Sequence, residues 1–413
     1  MEKKLTLIAP CHFGLESVLK REIQDLGYAI VRVEDGRVLF EGGPEAPARA
    51  NVFLRTAERV MILAGEFDAV TYDELYEGTR RIPWEAYIPV NGRFWVKKAS
   101  SVKSALFSPS DIQSIMKKAM VDRLKMRYNV SWFDEDGPAY PVRVAIRHDR
   151  VTVGLDTSGA SLHKRGYRVS PVIAPVSETL AASLIDLTPW HGDRILVDPF
   201  CGSGTFPIEA AMKAARIAPG MKRAFDAESW QGTLPKRFWK EAREEAADRV
   251  IPGLETDIQG YDIDPRAIRA CRDNARAAGV DSMIHFQVRD VQALSHPKKY
   301  GFIITNPPYG ERIEDRETVP ALYRALGRAY AGLDSWSLYV ISSYPHVEQD
   351  IGRRADRNRK LYNGMLKTYF YQFQGPKPPR RRDDRPLTET ERQRDRDGAG
   401  QRHTARDGKG GEK

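Results

Sequence analysis

Little in this chain of 413 residues invites cross-linking or metal binding. Its three cysteines, Cys11, Cys201 and Cys271, lie far apart and show no CxxC or Cys/His spacing. Neither a disulfide framework nor a zinc site is therefore expected, and no metal is assigned. No stretch approaches the roughly 18 apolar residues that a membrane helix needs. The opening MEKKLTLIAPCHF lacks the long apolar core of a secretory signal. A cytoplasmic chain with no membrane partner is expected. Internal repeats are also missing. What is present, 41% hydrophobic and 29% charged residues, suits a soluble globular protein of two or three domains.

The net charge is +9, and residues 376–413 hold twelve Lys/Arg against eight Asp/Glu, so this last stretch carries +4 of it. With almost no apolar residues, such a tail cannot bury enough surface to offset the entropy of ordering, and disorder is expected. It suits weak contact with nucleic acid as well as it suits a solubilising extension.

The ordered part divides near residues 157–172. Before that point strands and helices alternate in two small α+β units. In FGLESVLKREIQDLG, Leu15, Val18, Leu19, Ile23 and Leu26 make a helical stripe that ends at Gly27. A second, long helix is signalled by Ser108 as cap, Pro109 in the first position and Asp111 completing a capping-box pattern. In GRFWVKKASSVKSALFS, Arg93, Lys97, Lys98 and Lys103 interleave with Phe94 and Trp95, a pattern that can stack on bases. A half-buried strand with a lysine-guarded edge explains it better. In SLHKRGYRVS, residues His163, Lys164, Arg165, Tyr167 and Arg168 crowd around Gly166. An RNA-binding loop and a solvated basic linker remain equal readings there.

From Ile195 the pattern becomes strand, glycine turn, helix. RILVDPFCGSGTFPIEAAMKAA places Asp198 at a strand end, followed by Gly202 and Gly204 in a turn that is neither a P-loop nor GxGxxG. In an open parallel sheet, ligands sit beyond the carboxyl ends of strands where strand order reverses. Three more strand ends follow: Asp262 in GYDIDP can accept ribose hydroxyls, Asp290 in VRD can accept from an adenine amino group, and TNPPYGER closes the fourth strand. Each acid alone reads as a helix cap. Four successive strand ends suited to parts of one ligand are harder to dismiss.

These motifs in this order resemble the class I S-adenosylmethionine-dependent methyltransferases that modify amino groups. Outside them, APCHFGLESVLKREIQDLG, DTSGASLHKRGYR, PVSETLAASLI and KLYNGMLKTYFYQF resemble THUMP-domain RNA methyltransferases, particularly those making N2-methylguanosine in large-subunit (23S) ribosomal RNA. The resemblance covers roughly residues 5–375. It implies an α/β fold: a class I, Rossmann-like, doubly wound methyltransferase domain preceded by a ferredoxin-like unit and a THUMP domain. The divisions expected are 1–66, 67–165, 166–375 and the basic tail 376–413. The implied cofactor residues are Ser177, Glu178, Thr179, Asp198, Pro199, Phe200, Cys201, Gly202, Gly204, Thr205, Asp262, Ile263, Asp290 and Asn306. Asn306, Pro307, Pro308 and Tyr309 are the implied catalytic set, and ribosomal RNA is the implied partner of a monomer.

The NPPY motif has a physical rationale. The lone pair of an exocyclic amino group is delocalised into its ring, so the enzyme must relocalise and aim it. The Asn306 side-chain oxygen and the Pro307 carbonyl can each accept one amino hydrogen, prolines hold those acceptors still, and Tyr309 can stack on the base. Adenine N6, cytosine N4, guanine N2 and a glutamine amide all suit this chemistry. Transfer RNA methylation and a non-catalytic RNA-binding assembly factor are the competing functions. The long insertion before Asp262 carries Trp230 and Trp239, read as packing residues before base platforms.

Overall fold

LTLIAP buries Leu7, Ile8 and Ala9 and forms the first strand, β1 (Leu5–Pro10), in a computed structural model that describes residues 4–170, 176–230, 232–310, 317–364 and 366–379. The tail from residue 380, and Glu311 and Arg312 of TNPPYGER, lie outside the described residues. The helix α1 (Glu16–Asp25) buries Val18, Leu19 and Ile23, and Gly27 stops it at φ +89. Glycine alone enters that left-handed region without a Cβ clash. The hairpin β2 (Ala29–Glu34) and β3 (Arg37–Gly42), then α2 (Ala46–Phe53) and β4 (Met61–Asp68), complete a βαββαβ unit.

Next come α3 (Tyr72–Arg81), β5 (Arg93–Val102), α4 (Pro109–Tyr128), β6 (Ala139–Arg147) and β7 (Arg150–Asp156). Ser108 caps α4 by accepting from the Asp111 amide at 3.4 Å. The Asp111 carboxylate instead accepts from the Tyr72 hydroxyl at 3.4 Å, so only half of the expected capping box forms. Strand β4 pairs antiparallel with both β1 and β7, giving one sheet of order β2-β3-β1-β4-β7-β6-β5. The division expected at 66/67 therefore runs through a continuous strand shared by the two units. On the edge strand β5, Phe94 is buried while Lys97 and Lys98 are exposed, as the guarded-edge reading anticipates.

The second sheet is built from α5 (Glu178–Asp186), β8 (Leu196–Asp198), α6 (Thr205–Ala214), α7 (Lys236–Asp248), β9 (Ile258–Asp262), α8 (Pro265–Ala278), β10 (Ile284–Val288), β11 (Phe302–Thr305), α9 (Val319–Ala331), β12 (Ser337–Ser342), α10 (Val347–Ile351), β13 (Arg357–Asn363) and β14 (Leu366–Phe373). Its order is β10-β9-β8-β11-β12-β14-β13, parallel except for β14, which runs antiparallel to β12 and β13. The chain moves outward from β8 to β9 and β10, then returns to β11 on the other side of β8. This reversal opens a crevice beyond the carboxyl ends of β8 and β11.

The insertion before β9 packs inward. Trp230 is fully buried, stacks on Tyr140 of β6 at 4.6 Å and 20°, and donates to the Ala139 carbonyl at 2.8 Å. Trp239 of α7 stacks on Phe225 at 5.1 Å, and Glu245 of the same helix receives Arg49 of α2 through two bonds of 2.6 and 2.8 Å. Both tryptophans are thus packing residues that clamp the second sheet's domain to the first.

Candidate functional site

The crevice is a cleft of about 1200 Å³. Its floor begins with Asp198, the last residue of β8, which is 1% exposed. One carboxylate oxygen, Oδ1, accepts from the Thr305 hydroxyl at 2.6 Å and from the Phe200 amide at 3.1 Å. Thr305 ends β11, so this bond joins the two strands that flank the switch point. Burial drives the Asp198 carboxyl up to about 7 against these two bonds, and the nearby Asp262 adds to the rise.

The turn after β8 is shaped by Gly202 at φ +52 and Gly204 at φ +83, the latter sitting at the start of α6. The Gly202 amide donates to Asp262 Oδ2 at 3.0 Å, and the Asp264 amide donates to Oδ1 at 2.9 Å. The end of β9 is thereby fastened to the glycine turn. Burial raises the Asp262 carboxyl despite these amides. Asp290, beyond β10, accepts from the Gln292 amide at 2.8 Å and also lines the cleft, so the capping role and the site role coexist. Ile263, 69% exposed, projects beside Asp262.

At the end of β11, Asn306, Pro307, Pro308 and Tyr309 form the opposite wall. The Tyr309 hydroxyl donates to Asn306 Oδ1. The residue expected to stack on a base is here hydrogen-bonded through its hydroxyl to the neighbouring acceptor. Pro199, Phe200, Cys201 and Thr205 complete the shared lining. Cys201 and Cys271 are buried with their sulfurs 3.6 Å apart, and the Cys271 thiol donates to the Gly202 carbonyl at 3.1 Å, bracing the turn. Burial pushes the Cys201 thiol well above its ordinary value.

Ser177, Glu178 and Thr179 do not line this cleft. Ser177 caps α5, accepting from the Leu180 amide at 3.4 Å. Thr179 donates to Glu58. Glu178, 4% exposed, accepts from Arg168 Nε at 2.9 Å, and Arg168 reaches on to Ser203 Oγ at 3.0 Å and Thr205 Oγ1 at 3.2 Å. Of the three, Glu178 alone is tied to the glycine turn, through Arg168.

The basic loop also folds inward. Arg165, 6% exposed, donates to the Leu162 carbonyl at 2.7 Å, to the Arg55 carbonyl and to Glu209, while Tyr167, 3% exposed, donates to Glu209 at 3.0 Å. His163 meets Glu58 at 3.2 Å. Of the five residues expected to face RNA, Lys164 alone is exposed. His163, Arg165 and Tyr167 find carboxylates on distant segments and Arg168 finds Glu178 ten positions on, because an unpaired guanidinium or phenol could not be buried cheaply.

Residues that the motifs did not single out complete the cleft: Ser203, Phe206, Arg289, Gln292 and the hairpin tip Asn363, Gly364 and Leu366. Asn363-Gly364 between two apolar-alternating strands is a hairpin signal that sequence reading could have used. The donors present fit S-adenosylmethionine. Three carboxylates suit a cation and its ribose, a glycine turn admits close backbone approach, and the volume exceeds that of a single small ligand. Among the described residues, no group of three or more His, Cys, Asp or Glu is placed to hold a metal ion.

The match to known proteins follows the fold. A family described as "RMKL-like, methyltransferase domain" matches residues 165–372, "RlmL ferredoxin-like domain" matches 6–61 and "THUMP domain" matches 69–156. A Bacillus subtilis (strain 168) relative named "Putative RNA methyltransferase YpsC" is 43% identical over 92% of this chain and 98% of its own. "Ribosomal RNA large subunit methyltransferase K/L" of Syntrophotalea carbinolica is 35% identical over 90% of this chain, which spans 54% of that longer protein. A solved structure titled "SMU.472, a putative methyltransferase complexed with SAH" superposes with a TM-score of 0.86 at 40% identity, covering 92% of this chain and 100% of that one. The cofactor is S-adenosylmethionine. The chain belongs to the RMKL-like methyltransferases that carry an RlmL-type ferredoxin-like domain and a THUMP domain.

Proposed function

We propose that this enzyme methylates the exocyclic N2 of a guanine in large-subunit ribosomal RNA. The observation that carries the amine chemistry is the position of Asn306 and Pro307 at the end of β11, across one cleft from the glycine turn and joined to it by the Thr305–Asp198 bond of 2.6 Å. The choice of ribosomal RNA is supported by the relative named for that substrate and by the THUMP match.

S-adenosylmethionine supplies an activated methyl on a sulfonium. Asp198, Asp262, Ile263 and Asp290, which line the cleft with the Gly202 turn, would hold it. Asn306 Oδ1, released by the Tyr309 phenol, and the Pro307 carbonyl each accept one hydrogen of the amino group. The nitrogen is drawn toward pyramidal geometry and its lone pair is aimed. Tyr309 turns onto the base face. Positioning of this kind contributes on the order of 7–11 kcal/mol, so no strong base is required, and the extra proton on nitrogen leaves to water after transfer. The cleft takes a base out of its stack, which a separate RNA-gripping unit helps to hold.

The test is transfer of labelled methyl from S-adenosylmethionine to unmodified large-subunit ribosomal RNA, transfer RNA, duplex DNA and a protein extract, followed by nucleoside analysis. N2-methylguanosine in the ribosomal RNA is the expected product. Label confined to transfer RNA, to adenine N6 of DNA or to protein refutes the substrate while keeping the amine mechanism; no label anywhere refutes the enzyme.

A further inference from the structure

The hairpin β13–β14 has two unlike faces. Leu361, Thr368 and Phe370 point into the core and are fully buried. The other face follows from the register, in which Lys360 lies opposite Tyr369 and Tyr362 opposite Lys367. Opposed residues in an antiparallel ladder share a face, so lysine and tyrosine alternate there in a checkerboard. Lys360 Nζ sits 5.5 Å from the Tyr362 ring centre and Lys367 Nζ 5.3 Å from that of Tyr369. Phe13, 48% exposed, meets Tyr362 edge-on at 6.2 Å and 75° and extends the aromatic surface. Both lysines are exposed, and among the described residues neither makes an ion pair with a carboxylate.

The hairpin that carries this face also reaches the site, since its tip, Asn363 and Gly364, lines the same cleft as Asn306 and Tyr309. We propose that this face is a binding platform for the single-stranded RNA that flanks the target nucleotide. The inference rests on the reading of the substrate as RNA. Taking one base out of its stack leaves its neighbours without partners, and they need replacement surfaces beside the cleft. Aromatic rings supply the stacking and lysines neutralise the phosphates. Tyr362 and Tyr369 are diagonal neighbours, about 7–8 Å apart at the backbone, a spacing that adjacent bases of an extended strand can span. A base that stacks on either ring displaces the ammonium group above it toward the phosphate.

The experiment uses the full chain and an end-labelled single-stranded RNA of about 12 nucleotides, with the matching duplex as comparison. Anisotropy is read across a salt series for the wild type, for Lys360→Gln with Lys367→Gln, and for Tyr362→Ala. The lysine pair is expected to flatten the log–log salt slope by roughly 1.4, at about 0.7 for each phosphate that is no longer neutralised. Tyr362→Ala is expected to weaken single-strand binding by about 5- to 150-fold. Binding of S-adenosylhomocysteine stays at the wild-type level in both, and the loss in methyl transfer to ribosomal RNA falls on KM. Unchanged single-strand affinity and slope in the lysine pair overturn the platform, as does an equal loss on the duplex. A wild-type chain that methylates RNA while the variants match it loses the platform alone. A wild-type chain that neither binds nor methylates RNA loses the substrate reading and the platform together.

Discussion

Replacing Asp198 by asparagine tests the central electrostatic feature of the cleft. Both bonds to this side chain, from the Thr305 hydroxyl and the Phe200 amide, fall on the same oxygen, so an amide can keep them with little change of shape. Burial pushes the carboxyl from 3.8 up to about 7. Between those values the folded chain holds a proton that the unfolded chain releases. The stabilising contribution is therefore complete below 3.8 and is lost as pH rises through about 7. The interval from 3.8 to about 7, at about 1.4 kcal/mol per pH unit, corresponds to up to about 4 kcal/mol. The amide that replaces the carboxyl carries no such proton, so D198N gains on the wild type by up to that amount over the same range. Parallel thermal melts of the two proteins in a pH series measure the difference, in which other titrating groups cancel. Cofactor affinity provides a second reading. The ionised form attracts a sulfonium, so in the wild type S-adenosylmethionine binds more tightly as pH climbs through about 7, while D198N shows no such rise. S-adenosylhomocysteine, without the sulfonium charge, serves as control. A stability difference between the two proteins that does not change with pH would refute the argument.

Asn306→Ala removes one of the two amine acceptors and is expected to lower kcat by at least about 100-fold, with S-adenosylmethionine binding by calorimetry near the wild-type value; retention of most activity would sink the mechanism. Arg165→Met leaves Glu209 buried without its guanidinium and is expected to destabilise the fold by about 3–5 kcal/mol, whereas Lys164→Ala, at an exposed position, leaves the melting temperature unmoved; equal melts for the two would contradict the inward-folded loop. Arg168→Met unties Glu178 from Ser203 and Thr205, and the expected loss is in cofactor affinity with RNA affinity preserved, the reverse of what a phosphate-binding arginine would give.

The legible features in the sequence were those set by local chemistry. Gly27 after an apolar stripe, Ser108 and Pro109 before another, and strand ends at Asp198, Asp262 and Asn306 all depend on residues a few positions apart, and each lies where the pattern indicates. The basic loop was misleading for the opposite reason. A run such as HKRGYR shows its charge but not its partners, and here the partners are Glu58, Glu178 and Glu209, up to 105 positions away. Ser177, Glu178 and Thr179, implied by the resemblance alone, illustrate the same limit, since they stand at the start of α5 with their side chains outside the cleft. The shared sheet was hidden because β4 carries pairing edges for β1 and β7 at once, and nothing in one strand's composition announces how many neighbours it has.

Pairing also separates the carboxylates that hold the molecule together from those that work. Glu58 is pulled below its ordinary value, against its burial, by His12, His163 and Thr179. Asp156 receives Arg59 and Arg143, Glu245 receives Arg49, and Glu178 receives Arg168. The Arg59–Asp156 and Arg49–Glu245 pairs join segments 97 and 196 positions apart, while Arg143–Asp156 and Arg168–Glu178 fasten nearby ones. Asp198, Asp262 and Asp290 line the cleft and, among the described residues, are held only by backbone amides and the Thr305 hydroxyl, with no cationic side chain in an ion pair. A fold that supplies arginine or histidine to its structural acids, yet leaves the acids of one crevice to amides, keeps those acids short of positive charge. Burial already drives Asp198 and Asp262 toward their neutral forms, so a ligand that carries its own positive charge relieves the shortage directly. On the proposed reading of these acids as the cofactor's holders, the same lack of a paired cation that costs the cleft stability above about pH 7 would favour a sulfonium cofactor over its neutral product.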